Sequence, residues 1–133
     1  AVVNTGQKRV GGSYGTYGSA FSNGDIMMVA ADLDNGNFYF GKNGQWGDGS
    51  GNFDEASPTS AIAATNTSSY SQGFSPAVGN YSTSYQGTME LNFGNPSFAI
   101  SSSNADANGY GNFEYTVPTN YYSLCTKNLA TYG

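Results

Sequence analysis

The segment GDIMMVAADLDNGNFYFGKNGQW, residues 24–46, decides the fold class of this chain. It holds an apolar run, a turn sequence that ends in Asn35-Gly36, an aromatic run and a second turn at Asn43-Gly44. Asn-Gly favours two-residue hairpin turns because both residues tolerate a positive φ. We therefore predict a strand over 26–31 that is buried on both faces, and a strand over 37–41 that pairs back against it.

Further strand signals follow this hairpin. Residues 88–94, TMELNFG, alternate apolar and polar side chains, which predicts a half-buried strand with Met89, Leu91 and Phe93 on one face. Shorter strand candidates lie at 61–64, 75–78, 98–100 and 113–117. Apolar residues do not recur at helical spacing for three turns with caps, so we expect little helix.

The composition indicates one folded domain with long polar loops. Glycine, serine and asparagine supply 51 of 133 residues, whereas only 13 residues are charged. Eleven tyrosines and eight phenylalanines argue against disorder, since disordered chains contain few aromatic residues. The net charge of −5 and the four scattered basic residues argue against nucleic acid as a partner, and no apolar run is long enough for membrane insertion.

Three groups of residues form an ordered set of motifs. They are Gly24-Asp25-Ile26, Val29-Ala30, Asp32-Leu33-Asp34, Gly36, Phe40 and Lys42-Asn43-Gly44; then Phe74-Ser75-Pro76-Ala77-Val78; then Leu91-Asn92-Phe93-Gly94 with Phe98. The first group resembles the core hairpin of SPRY domains, and the other two resemble the "F-x-P-A-V" strand and the "L-N-F-G-x-x-x-F" ending of the same family, in the same order. The ending PTNYYSLCTKNL, 118–129, is similar to the tail that follows SPRY-like domains in phage and bacterial proteins.

This resemblance implies an all-β fold, a concanavalin A-like, jelly-roll sandwich of two antiparallel sheets. It predicts a sandwich domain over 1–117 and a tail segment over 118–133. It also implies a recognition module, not an enzyme, in which the matching polar residues form turns and partners meet variable loops. The predicted structural turn residues are Asp32, Asp34, Asn35, Gly36, Asn43 and Gly44.

The segments that usually precede the hairpin in SPRY domains are absent from residues 1–23. These are a W-Y-x-E-like strand and a V-G-V strand. We expect either a preceding part of the chain or another subunit to supply them. An open sheet edge is a template for such strand addition, and this favours a role in an assembly.

The residue types leave little room for catalysis. The chain has no histidine, which removes the commonest general base and the commonest metal ligand. Two carboxylate pairs remain, Asp32 with Asp34 and Asp54 with Glu55, and turn formation and solvation explain both pairs more simply than glycoside hydrolysis does. We predict that the protein is not an enzyme and that it needs no cofactor.

Calcium is the one metal that the sequence leaves open. Asp48, Asn52, Asp54 and Glu55 place four oxygen donors within eight residues of a Gly-rich loop. The spacing of an EF-hand is absent, so the prediction depends on ligand type alone.

Aromatic residues in or beside loops are the candidates for ligand binding. Aromatic rings stack on sugars in many lectin-like sites, although packing at the ends of a sandwich is the more common use. The candidate residues are Trp46, Tyr70, Tyr81, Tyr85 and Tyr110.

Two functional hypotheses follow. The first is a structural component of a virion surface, phage-like, or of another extracellular assembly, whose partners are other protein subunits. The second is a separable recognition module that binds a cell-surface glycan or protein through its loops. A structural component should copurify in fixed stoichiometry, whereas a module should be monomeric and bind a soluble ligand.

Overall fold

The computed structural model describes residues 1–64, 74–80, 84 and 87–132. This part of the chain is all-β with antiparallel sheets, as the hairpin signals predicted. The helix of the described residues is α1, Thr126–Tyr132, which agrees with the expectation of little helix. Within the described ranges, no helix combines the length and the apolar character needed to cross a membrane.

The chain divides into two compact units. Unit 1 lies within 1–67 and 118–121, and unit 2 lies within 68–117 and 122–133. The predicted division into a domain over 1–117 and a tail over 118–133 stays a prediction, as does the sandwich of two sheets.

Unit 1 carries the described strands. A small sheet pairs β1, Lys8–Val10, with β2, Ser13–Gly15. A larger sheet has the order β3, Met27–Asp32, then β4, Asn37–Lys42, then β5, Gln45–Gly47, then β6, Phe53–Glu55. The short strand β7, Ile62–Ala63, pairs with the start of β4 and partly fulfils the strand predicted over 61–64.

The β3–β4 hairpin is the pairing that the opening segment predicted. Its register runs from Met27 opposite Lys42 to Asp32 opposite Asn37. The prediction that this first strand is buried on both faces was wrong, because Val29 is 61% exposed whereas Ala30 is buried. Successive side chains of a strand point to opposite faces, and the described chain covers only one face of β3.

The buried core of the described residues lies in unit 1. It consists of Tyr17, Ala30, Trp46 and Ile62. The ring of Tyr17 meets the rings of Phe40 and Phe53 edge-on, each at a centroid distance of 6.2 Å. Edge-to-face pairs at this distance add to the stabilisation that burial of the rings provides.

Unit 2 lacks the strands that the sequence predicted for its described residues. No strand forms over 75–78, 88–94, 98–100 or 113–117, and an isolated bridge joins Asn104 to Phe113. Met89, Leu91 and Phe93 are all exposed. Alternation of side chains selects a face, but a strand forms only where a neighbouring strand accepts its backbone hydrogen bonds.

Candidate functional site

The predicted turn residues of the β3–β4 hairpin hold its loop together. Asp32 accepts hydrogen bonds from the backbone N–H of Asn35 at 3.1 Å and from Asn35 Nδ2 at 2.7 Å. The bond from the Asn35 side chain, with that from its backbone, lowers the pKa of Asp32. Gly36 has a φ of +66°, and Asp34 is exposed in the same loop. The loop has four residues, because Asp32 pairs with Asn37, so the predicted two-residue turn does not form here.

The second turn is the two-residue hairpin that its sequence predicts. Lys42 pairs with Gln45, and Asn43 and Gly44 adopt φ values of +51° and +89°. The side chain of Asn43 accepts a hydrogen bond from the backbone N–H of Ile26 and donates one to Asp25 at 2.6 Å. Asn43 therefore joins the turn to the residues that precede β3.

Asp48, the first residue of the proposed calcium set, binds its own loop. Its Oδ1 accepts the backbone N–H groups of Ser50, Gly51 and Asn52, at 2.7 to 2.9 Å, and its Oδ2 accepts Asn52 Nδ2 at 3.0 Å. These hydrogen bonds, with those from Asn52 the largest, lower the pKa of Asp48 to about 2. The carboxylate therefore has a complete structural role in closing the loop.

The two other carboxylates of the calcium set, Asp54 and Glu55, do not form a group with Asp48. Asp54 and Glu55 are neighbours in β6, and the side chains of successive strand residues point to opposite faces. Among the described residues, no three acidic or cysteine side chains form a group that could hold a metal ion. The geometry of this loop gives calcium no support.

The prediction that Trp46 is a loop residue available to a ligand was wrong. It lies inside β5, opposite Gly41, and is only 4% exposed. A Cβ atom on Gly41 would come within 3.2 Å of the Trp46 ring, so the missing side chain leaves room for the indole. Trp46 is thus a core residue of unit 1.

Tyr110 lies in a loop of unit 2, as predicted. Its backbone N–H donates to Asp106, and the ammonium group of Lys127 lies 5.4 Å from the centroid of its half-buried ring. A cation over a ring in this range is attracted by the ring's negative face. The three remaining aromatic candidates, Tyr70, Tyr81 and Tyr85, lie outside the described residues.

The most highly connected polar side chain of unit 2 is Asp106. Its Oδ1 accepts the backbone N–H groups of Asn108 and Tyr110, both at 3.0 Å. Its Oδ2 accepts the backbone N–H and the hydroxyl of Ser123, both at 2.8 Å, and Asn128 Nδ2 at 2.7 Å. We call Asp106, Ser123 and Asn128 the polar cluster; all three are buried.

The polar cluster holds a charged carboxylate inside unit 2. Burial raises the pKa of Asp106, but the hydrogen bonds from Ser123, Tyr110 and Asn128 together outweigh burial and lower its pKa far below the ordinary value. Every donor comes from the same chain, so the cluster fastens the segment around Ser123 and the start of α1 to the loop that contains Asp106.

The sequence alone did not identify the polar cluster as a site. One local signal was present, because an aspartate followed two residues later by Asn108-Gly109 is typical of a turn closed by its own carboxylate. Nothing local shows that Ser123 and Asn128, seventeen and twenty-two residues further along, complete the set.

Large apolar side chains lie on the surface of both units. Unit 2 exposes more of them than unit 1, and its buried described side chains are the polar cluster. All of the following are at least 40% exposed: Tyr14, Ile26, Val29 and Leu33 in unit 1, and Phe74, Val78, Met89, Leu91, Phe93, Tyr122, Leu124 and Leu129 in unit 2.

Comparison of the whole chain with protein-family models, with curated proteins and with solved structures gives no significant match. The resemblance to SPRY domains therefore stays a prediction drawn from the motifs of the sequence.

Proposed function

We propose that this chain is a non-catalytic structural component of a virion surface, phage-like, or of another extracellular assembly, built on a SPRY-like sandwich. The observation that carries the proposal is the inverted polarity of unit 2. Its described residues bury Asp106, Ser123 and Asn128 and expose eight large apolar side chains.

Exposed apolar side chains on this scale are a property of surfaces that other protein covers. Isolated apolar residues are normal on a surface, whereas a large exposed apolar patch marks a site of association. Covering them yields roughly 25 cal/mol per Å² of apolar area removed from water. Burial against neighbouring subunits would supply unit 2 with the apolar core that its described residues lack.

The chemistry of the described side chains also favours a structural role. The carboxylates that carry the most hydrogen bonds, Asp48 and Asp106, use their oxygens to hold backbone N–H groups of their own loops, and Asp106 also holds the backbone N–H of Ser123. A carboxylate engaged in this way is a poor general base, because its pKa is low and its lone pairs are occupied.

The test is footprinting of the protein in its native source material. Oxidative labelling of Leu91, Tyr122 and Leu124 should fall several-fold in the native assembly relative to the isolated chain. Trp46, which is buried in the chain itself, should label weakly in both samples and serves as the internal control.

A monomer that labels equally in both samples, and that binds a soluble glycan or protein, would contradict the proposal. It would favour the separable recognition module instead. Of the aromatic candidates for that role, Tyr110 is the loop residue within the described part of the chain, so Tyr110→Ala is the variant that tests it.

A further inference from the structure

The outer edge of β3 carries a regular row of backbone hydrogen-bonding groups. β3 stands at the end of the strand order, and among the described residues no strand pairs with its other side. The backbone N–H of Asn43 donates to the carbonyl of Ile26, which fixes the residues of β3 that face β4. By the alternation of antiparallel pairs, Met28 and Ala30 also face β4, whereas the N–H and C=O groups of Met27, Val29 and Ala31 point away from the sheet.

The centre of this edge has none of the usual protections against strand addition, because the charged residue of β3, Asp32, stands at the end of the strand. β3 has the sequence MMVAAD, without proline or lysine, and the register shift of this sheet lies at Trp46/Gly47 in β5. Val29, at the centre of the edge, is 61% exposed. Proteins normally guard a long apolar edge by charge, proline or a bulge, so an unguarded edge indicates a surface made for pairing.

The edge is complementary to itself. In an antiparallel pairing centred on Val29, Val29 lies opposite Val29 of the second copy, and Met27 lies opposite Ala31. All three outward-facing residues then exchange their backbone hydrogen bonds with the other copy. A centre at Met28 or Ala30 would pair only two of the three outward-facing residues with each other, and would place the third opposite a residue outside β3.

The charges near the edge agree with the same pairing. Asp32 is the charged residue of β3, and in this register it lies opposite Ile26, while Asp25 lies opposite Leu33. Like charges directly opposite each other destabilise a strand pair, and this register avoids them. It also brings the exposed side chain of Val29 against its own equivalent.

We infer that two copies of this chain join through their β3 strands, antiparallel and centred on Val29, so that the sheet of one copy continues into the sheet of the other. The inference rests on the proposed function, for which it names one subunit contact: a second copy of the same chain.

Sedimentation equilibrium over a concentration series tests the contact with three forms of the chain. The unaltered chain should approach twice its 13.9 kDa mass. Val29→Lys should weaken dimerisation at least tenfold, because it places two ammonium groups opposite each other at the centre of the pairing. Tyr14→Lys places a lysine at a side chain that is 52% exposed in β2, outside both proposed contacts, and should dimerise like the unaltered chain.

A second measurement does not depend on the folding of the lysine variant. A spin label on Val29→Cys, in a Cys125→Ser background, should show strong dipolar broadening, since hydrogen-bonded antiparallel partners lie about 5.5 Å apart at Cα. Dilution with unlabelled chain should remove the broadening.

An unaltered chain that stays monomeric at every concentration, or a label without broadening, would overturn the inference. So would a Val29→Lys chain that dimerises with unchanged affinity. In each case the proposed assembly role would still be decided separately, by protection of Leu91, Tyr122 and Leu124 in the native material.

Discussion

At the scale of single residues, the hydroxyl of Tyr17 completes the larger sheet. Phe40 of β4 lies opposite Val29 in a position where its N–H and C=O groups face away from β3. On that side β5 pairs with the end of β4 and β7 with its start, so the backbone of Phe40 lies between them. Tyr17 Oη accepts the N–H of Phe40 at 2.9 Å and lies 3.1 Å from the carbonyl of Ser60.

We predict that Tyr17→Phe lowers the free energy of unfolding by roughly 1–3 kcal/mol, the cost of leaving buried backbone groups without a partner. Tyr17 is 1% exposed, so water cannot replace its hydroxyl without rearrangement of the core. Urea unfolding followed by Trp46 fluorescence measures the change. Tyr14→Phe is the control, because Tyr14 is exposed and loses only a solvated hydroxyl. Equal effects of the two substitutions would contradict the role given to Tyr17.

Asp106 stabilises unit 2, because its carboxylate accepts hydrogen bonds from two separate segments of that unit. We predict that Asp106→Asn costs about 3 kcal/mol, because an amide of the same size turns one acceptor oxygen into a donor among groups that already donate. Asp54→Asn, which removes the same charge from an exposed position in β6, should change stability by less than about 0.5 kcal/mol. Hydrogen exchange at the amides of Ser123 and Tyr110 should accelerate in the first variant and remain unchanged in the second.

At the scale of elements, the Asn43-Gly44 turn is where the sequence was most informative. Gly44 has a φ of +89°, so Gly44→Ala should cost about 1–2 kcal/mol through backbone strain. Gly79→Ala is the matched control, because Gly79 does not have a positive φ and a Cβ atom there meets open space. Thermal unfolding of the two variants decides the point: similar melting temperatures would show that the turn tolerates a side chain.

The hairpins could be predicted because their signals are local. Asn-Gly fixes positive φ values within two residues, and the flanking apolar runs supply the paired strands. Even so, Asn35-Gly36 closes a loop of four residues, because the side chain of Asp32 binds Asn35 and holds the wider turn. The same dipeptide therefore gives two different hairpins, according to what precedes it.

The absence of strands from the described part of unit 2 could not be predicted, because alternation of side chains is not a sufficient signal for a strand. Met89, Leu91 and Phe93 alternate as a strand would, but the described chain offers no neighbour to accept their backbone hydrogen bonds. The loop position predicted for Trp46 was wrong because a pairing that the local sequence does not show decides where it lies. It follows an Asn-Gly turn and a polar residue, so it reads as a loop residue, yet the pairing with Gly41 places it in the core.

At the scale of the whole molecule, the interactions that could not be predicted from the sequence are those between residues far apart in the chain. Tyr17 bonds to Phe40, twenty-three residues away, and Asp106 bonds to Asn128, twenty-two residues away. Composition indicated long polar loops but not which carboxylate would be buried. The exposure of apolar residues in unit 2 was equally hidden, since a sequence shows which residues are apolar but not which of them another molecule covers.

The carboxylates give the molecule a predictable response to acid. Asp25, Asp32, Asp48, Asp106 and Glu114 all have lowered pKa values, through hydrogen bonds to their charged forms. A carboxyl group whose pKa is lower in the folded state stabilises the fold above its unfolded pKa, near 4, and loses that contribution as pH falls through the folded value. For Asp48 that value is about 2.

We therefore predict a constant urea midpoint from about pH 7 to pH 5, then a steady fall from about pH 4 to pH 2. Protonation also reduces the repulsion that comes from a net charge of −5, but this diffuse effect is screened by salt, whereas the hydrogen bonds act at 2.6 to 3.1 Å. In Asp106→Asn the fall should be shallower, because one of the five groups no longer titrates. A midpoint that stays level or rises on acidification would show that charge repulsion, and not carboxylate hydrogen bonding, governs the stability of this molecule.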